Sequence, residues 1–422
     1  MSADTGAIRP AVERRREELI AFACRAVQAA SLPGQERVVQ ELIAERLGEL
    51  GLDVTVLPVR FDRLRGHPAF GDDGFSPDAR IDVIGQWRGS GGGRSLILNG
   101  HVDVVAPGDE TLWTDSPWSG ALRDGRLYGR GSCDMKSGLV SGIFALAVLR
   151  DLGWSPAGDI VVESVIGEES GGAGTLAAIV EGIRADGAII LEPTSLDLCP
   201  VQSGALTFRL AVPGRAAHGA LRQHGVSAIE KFSLLHTAIL ELERDRHQRY
   251  RHPLYDEPDW VAPVSIGTIR GGEWHSTVPD LVVAEGRFGV FPGESVAVAR
   301  EALEVAVARA AAADPWLRGN PPLITWFEGQ FESGETPADH PLIATLGAAH
   351  QRVLGRGARI RGVPYGSDLR LFTNHADMPA VLYGPGDVAL AHTVNESIAV
   401  GEILAAVTVL ATAIAEWSGT PT

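Results

Sequence analysis

Five short apolar runs in this chain each end in, or are followed by, a carboxylate or an imidazole: GHVDVV around His101, CDMKSG around Asp134, GEES at Glu168, LEPT at Glu192 and AHTVNE at His392. Runs of four to eight apolar residues bounded by turn residues read as strands buried on both faces, which occur in parallel sheets flanked by helices. In such sheets the carboxyl ends of the strands form the ligand crevice. Polar groups delivered repeatedly at that edge converge in space, and together these can hold two divalent metal ions.

The first run, residues 95 to 100, places His101 at a strand exit. If the extended two-residue period persists, Asp103 points the same way, and its carboxylate is expected to hold the other imidazole nitrogen and fix the tautomer. Asp134 stands where a loop enters a helix. From Lys136 the chain reads SGLVSGIFALAVLRDLG, with Leu139, Val140, Ile143, Phe144, Ala147 and Leu149 on a mostly apolar face. An aspartate in that place is ordinarily a helix cap, so its meaning depends on the other runs. Residues 159 to 167 form the next strand and deliver Glu168 and Glu169 together. Adjacent glutamates are usually solvated; the functional alternative is that one binds a metal while the other stays unligated and takes a proton from the activated water. A further strand, 188 to 191, exits at Glu192. Residues 380 to 386 give a strand and turn, with His392 in the loop that follows.

Taken in order, NGHVDVV, the block from WTDSPWSG to LYGRGSCDMKSG, GEESGG, LEPT, GRAAHGA and GPGDVALAHTVNE resemble the dinuclear zinc amidohydrolases. These include acetylornithine deacetylase, succinyl-diaminopimelate desuccinylase, aminoacylases and carboxypeptidase G-type enzymes. The resemblance covers nearly the whole chain. It implies that His101 and Glu192 bind one metal, Glu169 and His392 the other, that Asp134 bridges both, that Glu168 is the general base and that Asp103 orients His101. It further implies a cis peptide after Asp134 and a carbonyl-polarising role for His218 of GRAAHGA. Arg287 would grip a substrate carboxylate. Where relatives often carry Asn-x-x-Pro, this chain has Ser276-Thr277-Val278-Pro279 preceded by Trp274 and His275. Ser276 and His275 are therefore candidate replacements for a missing amide donor. Ser367, in YGSDLRLF with Asp368 and Arg370, is a secondary substrate-binding candidate. Oxygen and imidazole donors without thiolate suit zinc, cobalt or manganese, and the resemblance favours zinc.

Between Glu192 and His392 the pattern changes. Strand signals at 206–212, 263–270, 280–291 and 322–328 alternate with helix signals at 226–245 and 294–312. That order is β-α-β-β-α-β, the ferredoxin-like pattern. The expected architecture is α/β: a zinc-peptidase-like catalytic domain with a mostly parallel central sheet (1–203 and 332–422), into which a ferredoxin-like lid (204–331) is inserted. The resemblance implies that the lid mediates a homodimer, with His218 acting in its own or the partner's site. The Arg-, His- and Tyr-rich segment 244–257 is expected to be a solvated loop.

With 422 residues the chain exceeds a single core, and the 37 basic and 53 acidic residues give a formal charge of −16, unsuited to a nucleic-acid backbone. Three scattered cysteines, Cys24, Cys133 and Cys199, suggest neither a disulfide framework nor a thiolate zinc site. No unbroken run of eighteen apolar residues and no apolar signal core are evident, so neither a membrane partner nor export is expected and the chain reads as cytoplasmic. G-x-S-x-G is absent, which leaves no serine-nucleophile reading. The expected reaction is metal-dependent hydrolysis of the amide in an N-acyl amino acid or related N-acylated amine. The alternatives are a dipeptidase or carboxypeptidase using the same site and, from another class, a non-catalytic metal-binding descendant.

Overall fold

The computed structural model describes residues 5–76 and 78–419. They divide into two compact units: residues 1–200, 335–361 and 367–422 form one, and 201–334 with 362–366 the other.

In the first unit four strands run parallel at the centre of the sheet. Ile160–Val165 lies beside Leu96–His101, which pairs with Ala188–Ile190, which in turn pairs with Ala380–Leu382. Every residue of these four strands is buried, which explains why they appear in the sequence as continuous apolar runs rather than as alternations. Antiparallel strands flank them: Asp53–Pro58 and Ile81–Trp87 on one side, Leu198–Gln202 on the other. The sheet is therefore mixed, with a parallel centre.

Helices Ser137–Asp151 and Val400–Ser418 pack on each other and on the strand Leu96–His101. The helical stretches Ser132–Asp151 and Val400–Ser418 are long and apolar enough to cross a membrane, and both are mostly buried in this unit's interior instead. The sequence suggested one apolar face for the first of them, yet residues 137–149 are all buried. A helix that is apolar all round belongs in a core. Its glycines permit the close approach, since a Cβ on Gly138 would stand 1.9 Å from the carbonyl oxygen of Leu191. The helix start is thereby drawn against the strand exit that bears Glu192.

The second unit has the element order Gly204–Pro213, helix Ala228–Arg249, Val264–Gly271, Leu281–Val290, helix Val296–Ala313 and Leu323–Phe331. Its four-stranded antiparallel sheet runs second, third, first, fourth. Strand Gly204–Pro213 alternates as a sheet with one covered face should, with Leu206, Phe208, Leu210 and Val212 inward against Leu235 and Ile239 of one helix and Leu303 and Val307 of the other. Ser227 and Ser295 cap the two helices by accepting from the backbone N–H of Glu230 and Val298.

The solvated loop expected at 244–257 is corrected. The helix continues through Arg249, and His247 is buried with both ring nitrogens engaged, Nδ1 with the Glu243 carbonyl at 2.8 Å and Nε2 with the Ala262 N–H at 3.2 Å. Farther on, the Tyr255 hydroxyl donates to the Val363 carbonyl. Residues whose type favours solvent here find hydrogen-bond partners inside the fold.

Candidate metal centre

Seven side chains meet at the carboxyl ends of the parallel strands. His101 is the last residue of its strand and sits beside Val165 in register. Its Nδ1 lies 2.9 Å from the backbone carbonyl of Asp103. A carbonyl can only accept, so Nδ1 carries the hydrogen and Nε2 faces the cluster. The expectation for Asp103 changes accordingly. Its carboxylate is 3.7 Å from the imidazole and instead accepts the backbone N–H of Glu168 at 3.3 Å and of Glu169 at 3.1 Å. Asp103 thus braces both the imidazole, through its main chain, and the glutamate pair, through its side chain.

Asp134 occupies the turn Ser132–Lys136 ahead of the helix, and the Asp134–Met135 peptide is cis. One carboxylate oxygen, Oδ1, stands 3.2 Å from His101 Nε2; the other, Oδ2, stands 3.5 Å from His392 Nε2. His392 Nε2 also lies 3.1 Å from Glu169 Oε2. Glu168 Oε2 and Glu192 Oε1 approach His101 Nε2 at 3.8 and 3.9 Å. Donor atoms of His101, Asp134 and Glu169 fall within 4.8 Å of one another, as do those of His101, Glu168 and Glu192. Glu168 is thus as near His101 as Glu192 is.

The electrostatics show what such a cluster requires. Burial pushes the carboxyls of Glu168 and Glu192 well above their ordinary range, and neighbouring carboxylates push the same way; Glu169 is raised by burial too. Burial would raise Asp134 as well, but hydrogen bonds from both imidazoles hold it below the usual range. Burial opposes the charged form of His101, yet Asp134, Asp103, Glu168 and Glu192 together raise it; Asp134 and Glu169 take His392 to about 10. Protons are drawn to imidazoles and glutamates alike because carboxylates outnumber the positive charges that could balance them. A pair of divalent cations satisfies this donor set of hard oxygens and borderline imidazoles. Thiolate plays no part: Cys133 is buried, its thiol is pushed far up by burial, and its Sγ faces the Asp387 carbonyl.

The remaining candidates lie elsewhere. In the second unit, His218 ends a two-residue strand paired with Thr277–Val278, is exposed, and accepts the Ala220 N–H at Nδ1. On the segment paired with it, Ser276 Oγ contacts His275 Nδ1 at 2.8 Å, the Ser276 carbonyl accepts the Gly219 N–H, and the Trp274 and His275 rings lie 4.5 Å apart. Arg287, in the middle of the sheet, donates to the Pro364 carbonyl at 3.1 Å. In the first unit, Ser367 is fully buried and its hydroxyl accepts the Leu369 N–H, so its oxygen serves a helix start rather than an open surface. Two buried ionic residues beside the cluster, Arg130 and Glu396, had no role in the sequence reading, although both lie within its motifs. Their signal was a glutamate four residues beyond His392, in a place where a loop acid is normally solvated.

The model of peptidase family M20/M25/M40 matches residues 97–416. The chain belongs to this family. Among its relatives, the N-formyl-4-amino-5-aminomethyl-2-methylpyrimidine deformylase of Bacillus subtilis (strain 168) is 29% identical over 429 residues, covering 96% of each chain. Acetylornithine deacetylase of Proteus mirabilis is 31% identical over 317 residues, 74% of this chain and 76% of that one. Of the solved structures, a dinuclear metal-binding peptidase of the M20 family from Bacillus subtilis superposes with a TM-score of 0.63 at 16% identity, covering 97% of this chain and all of that one. The family hydrolyses amide bonds, and this member is a metal-dependent amide hydrolase whose relatives remove acyl groups from amines.

Proposed function

We propose that the protein removes a small acyl group from the nitrogen of an amino acid or related amine, with Glu168 as general base and zinc as the resident metal. His101, Asp134 and Glu192 would hold one cation, Asp134, Glu169 and His392 the other. When bound, the cations supply Lewis acidity, polarising the acyl carbonyl and acidifying the attacking water. The observation that carries the reading is the asymmetry of the glutamate pair: Glu169 Oε2 lies 3.1 Å from the second imidazole, whereas Glu168 is the more deeply buried of the two and its Oε2 stays 3.8 Å from His101 Nε2.

A carboxyl whose proton affinity is raised suits a group that accepts a proton and then returns it. Glu168 takes the proton of the attacking water and delivers it to the leaving amine. Asp103 keeps Glu168 and Glu169 in their divergent directions. His218, with Nδ1 occupied by Ala220, offers Nε2–H to the developing oxyanion. Ser276 and His275, on the segment paired with that of His218, read the amine portion with Arg287. The second unit acts as a ferredoxin-like lid within boundaries 204–331, closes over substrate and pairs two copies of the chain, in the cytoplasm. A dipeptidase or carboxypeptidase would use the same machinery, in keeping with the solved peptidase of the family. A non-catalytic descendant would have no use for a buried, braced Glu168.

Turnover of N-formyl, N-acetyl and N-succinyl amines, compared with that of simple dipeptides, tests the assignment. The expected outcome is preference for an acylated amine by at least tenfold in kcat/KM, about 1.4 kcal/mol of transition-state discrimination. Equal or better cleavage of dipeptides would move the assignment to the peptidase reading.

A further inference from the structure

We infer that Glu396 is a positioning residue that sets the distance between Asp134 and His392. This rests on the reading of Asp134 as the bridging ligand.

Glu396 is completely buried, four residues after His392. One of its oxygens, Oε1, accepts two consecutive backbone N–H groups, those of Cys133 at 2.8 Å and Asp134 at 3.1 Å. The other, Oε2, accepts from Arg130 Nη1 at 2.6 Å, and Arg130 is itself 2% exposed. The Glu396 carbonyl accepts the Gly129 N–H. Strand Ser397–Ala399 then pairs with Arg126–Tyr128, with Ser397 opposite Tyr128. On the other side, the Asn395 amide oxygen accepts the Thr114 N–H. The segment carrying His392 and the segment carrying Asp134 are therefore joined backbone to side chain and strand to strand, and Glu396 spans the gap between them.

The chemistry of the clamp calls for a carboxylate. Three donors converge on it, one of them a guanidinium, and an ionised carboxylate is acceptor-only with room for about four hydrogens. A glutamine has the same shape, but its NH2 would confront either Arg130 or the paired N–H groups. An aspartate cannot reach both from the same backbone. Either change disturbs the hold on the Asp134 main chain, while His392, 52% exposed and held in the left-handed region at φ +59°, loses its reference point. The expected result is a metal centre whose two imidazole-facing oxygens no longer sit at matched distances.

The test uses the full-length protein loaded with Co²⁺ or Zn²⁺. Stepwise Zn²⁺ affinity by chelator competition and the visible absorption of the Co²⁺ form are measured for the parent, E396Q and D134N. E396Q is expected to weaken Zn²⁺ binding about 10- to 100-fold, the usual effect of losing a group that orients a ligand, and to alter the Co²⁺ spectrum. A merely structural role would lower the melting temperature and leave spectrum and affinity at parent values, which overturns the inference. Should E396Q fail to fold, R130K gives the same readouts, since it leaves the carboxylate on the two N–H groups but removes the guanidinium fork. A roughly three- to tenfold weakening is expected there, and parent behaviour overturns the inference. D134N separates the levels. If D134N still binds two Co²⁺ with the parent spectrum, the bridging role of Asp134 fails, and the inference with it. If D134N loses an ion while E396Q retains parent values, only the role of Glu396 fails.

Discussion

The cluster at the strand exits and the short strand pair bearing His218 differ in how their residues are held. His101, Asp103, Glu168 and Glu192 are buried, and Asp103 alone touches three backbone or ring positions of its neighbours. His218, His275 and Ser276 are exposed and are held by one short strand pair and local contacts. The first arrangement is preorganised for charge; the second can reshape to its ligand. Under the proposed function, the reaction type would rest on the buried cluster and substrate choice on an exposed strand pair with few constraints.

Removing the metals by chelation tests the rigid half most severely. Activity should fall to background, and the metal-free protein should melt lower, because ions that bind only the folded state stabilise it; calorimetry with and without added Zn²⁺ measures this. Glu168→Gln should lower kcat by about 10²- to 10⁴-fold with metal content unchanged by elemental analysis. Unaltered turnover would remove Glu168 as base. His218→Ala should cost about 10²- to 10³-fold in kcat, the range for loss of one oxyanion donor. A change confined to KM would make it a binding residue only. Ser276→Ala and His275→Ala should shift KM by less than about tenfold and reorder the substrate panel, leaving metal binding untouched; measured kcat values that fall with KM unchanged would dissolve the contrast between core and surface strand pair.

A milder probe lies within the sheet. Glu163 accepts from Asn99 Nδ2 at 3.0 Å, has its other oxygen buried with no hydrogen-bond partner among the described residues, and is pushed up to about 7 by burial and by neighbouring Asp368. Its folded value exceeds the unfolded one, so its stabilising contribution is complete below about pH 4.5 and disappears as pH rises through about 7, a change on the order of 3 kcal/mol. Glu163→Gln removes that dependence. Melting curves of variant and parent from pH 4.5 to 8 should therefore diverge in the variant's favour as pH rises, and parallel curves would show that Glu163 does not titrate there.

Much of this was legible in the chain because buried parallel strands leave an unambiguous trace: Leu96 to Leu98, Ile160 to Val162 and Ala188 to Ile190 have no alternative but the interior. Charged groups at the ends of such runs are conspicuous for the same reason. What escaped notice was determined by partners far away in sequence. Asp103 was expected to continue the strand's alternation, but the chain leaves extended pairing after His101, and the carbonyl takes the place intended for the carboxylate. His247 resembles a loop residue until Glu243 and Ala262 satisfy it. The helix from Ser137 seemed one-sided because its serines and glycines counted as polar, whereas Ser141 satisfies its own hydroxyl on the Ser137 carbonyl and Gly138 serves a close approach.

Gly138 has one more effect. With its helix pressed against the Leu191 carbonyl, the loop carrying Asp134 and the strand end carrying Glu192 are backed by a single slab of tightly packed matter. Neither side chain can drift without prising that slab open. If both hold ions as proposed, grip on the ions and resistance to unfolding should rise and fall together: enlarging this one glycine would loosen both at once.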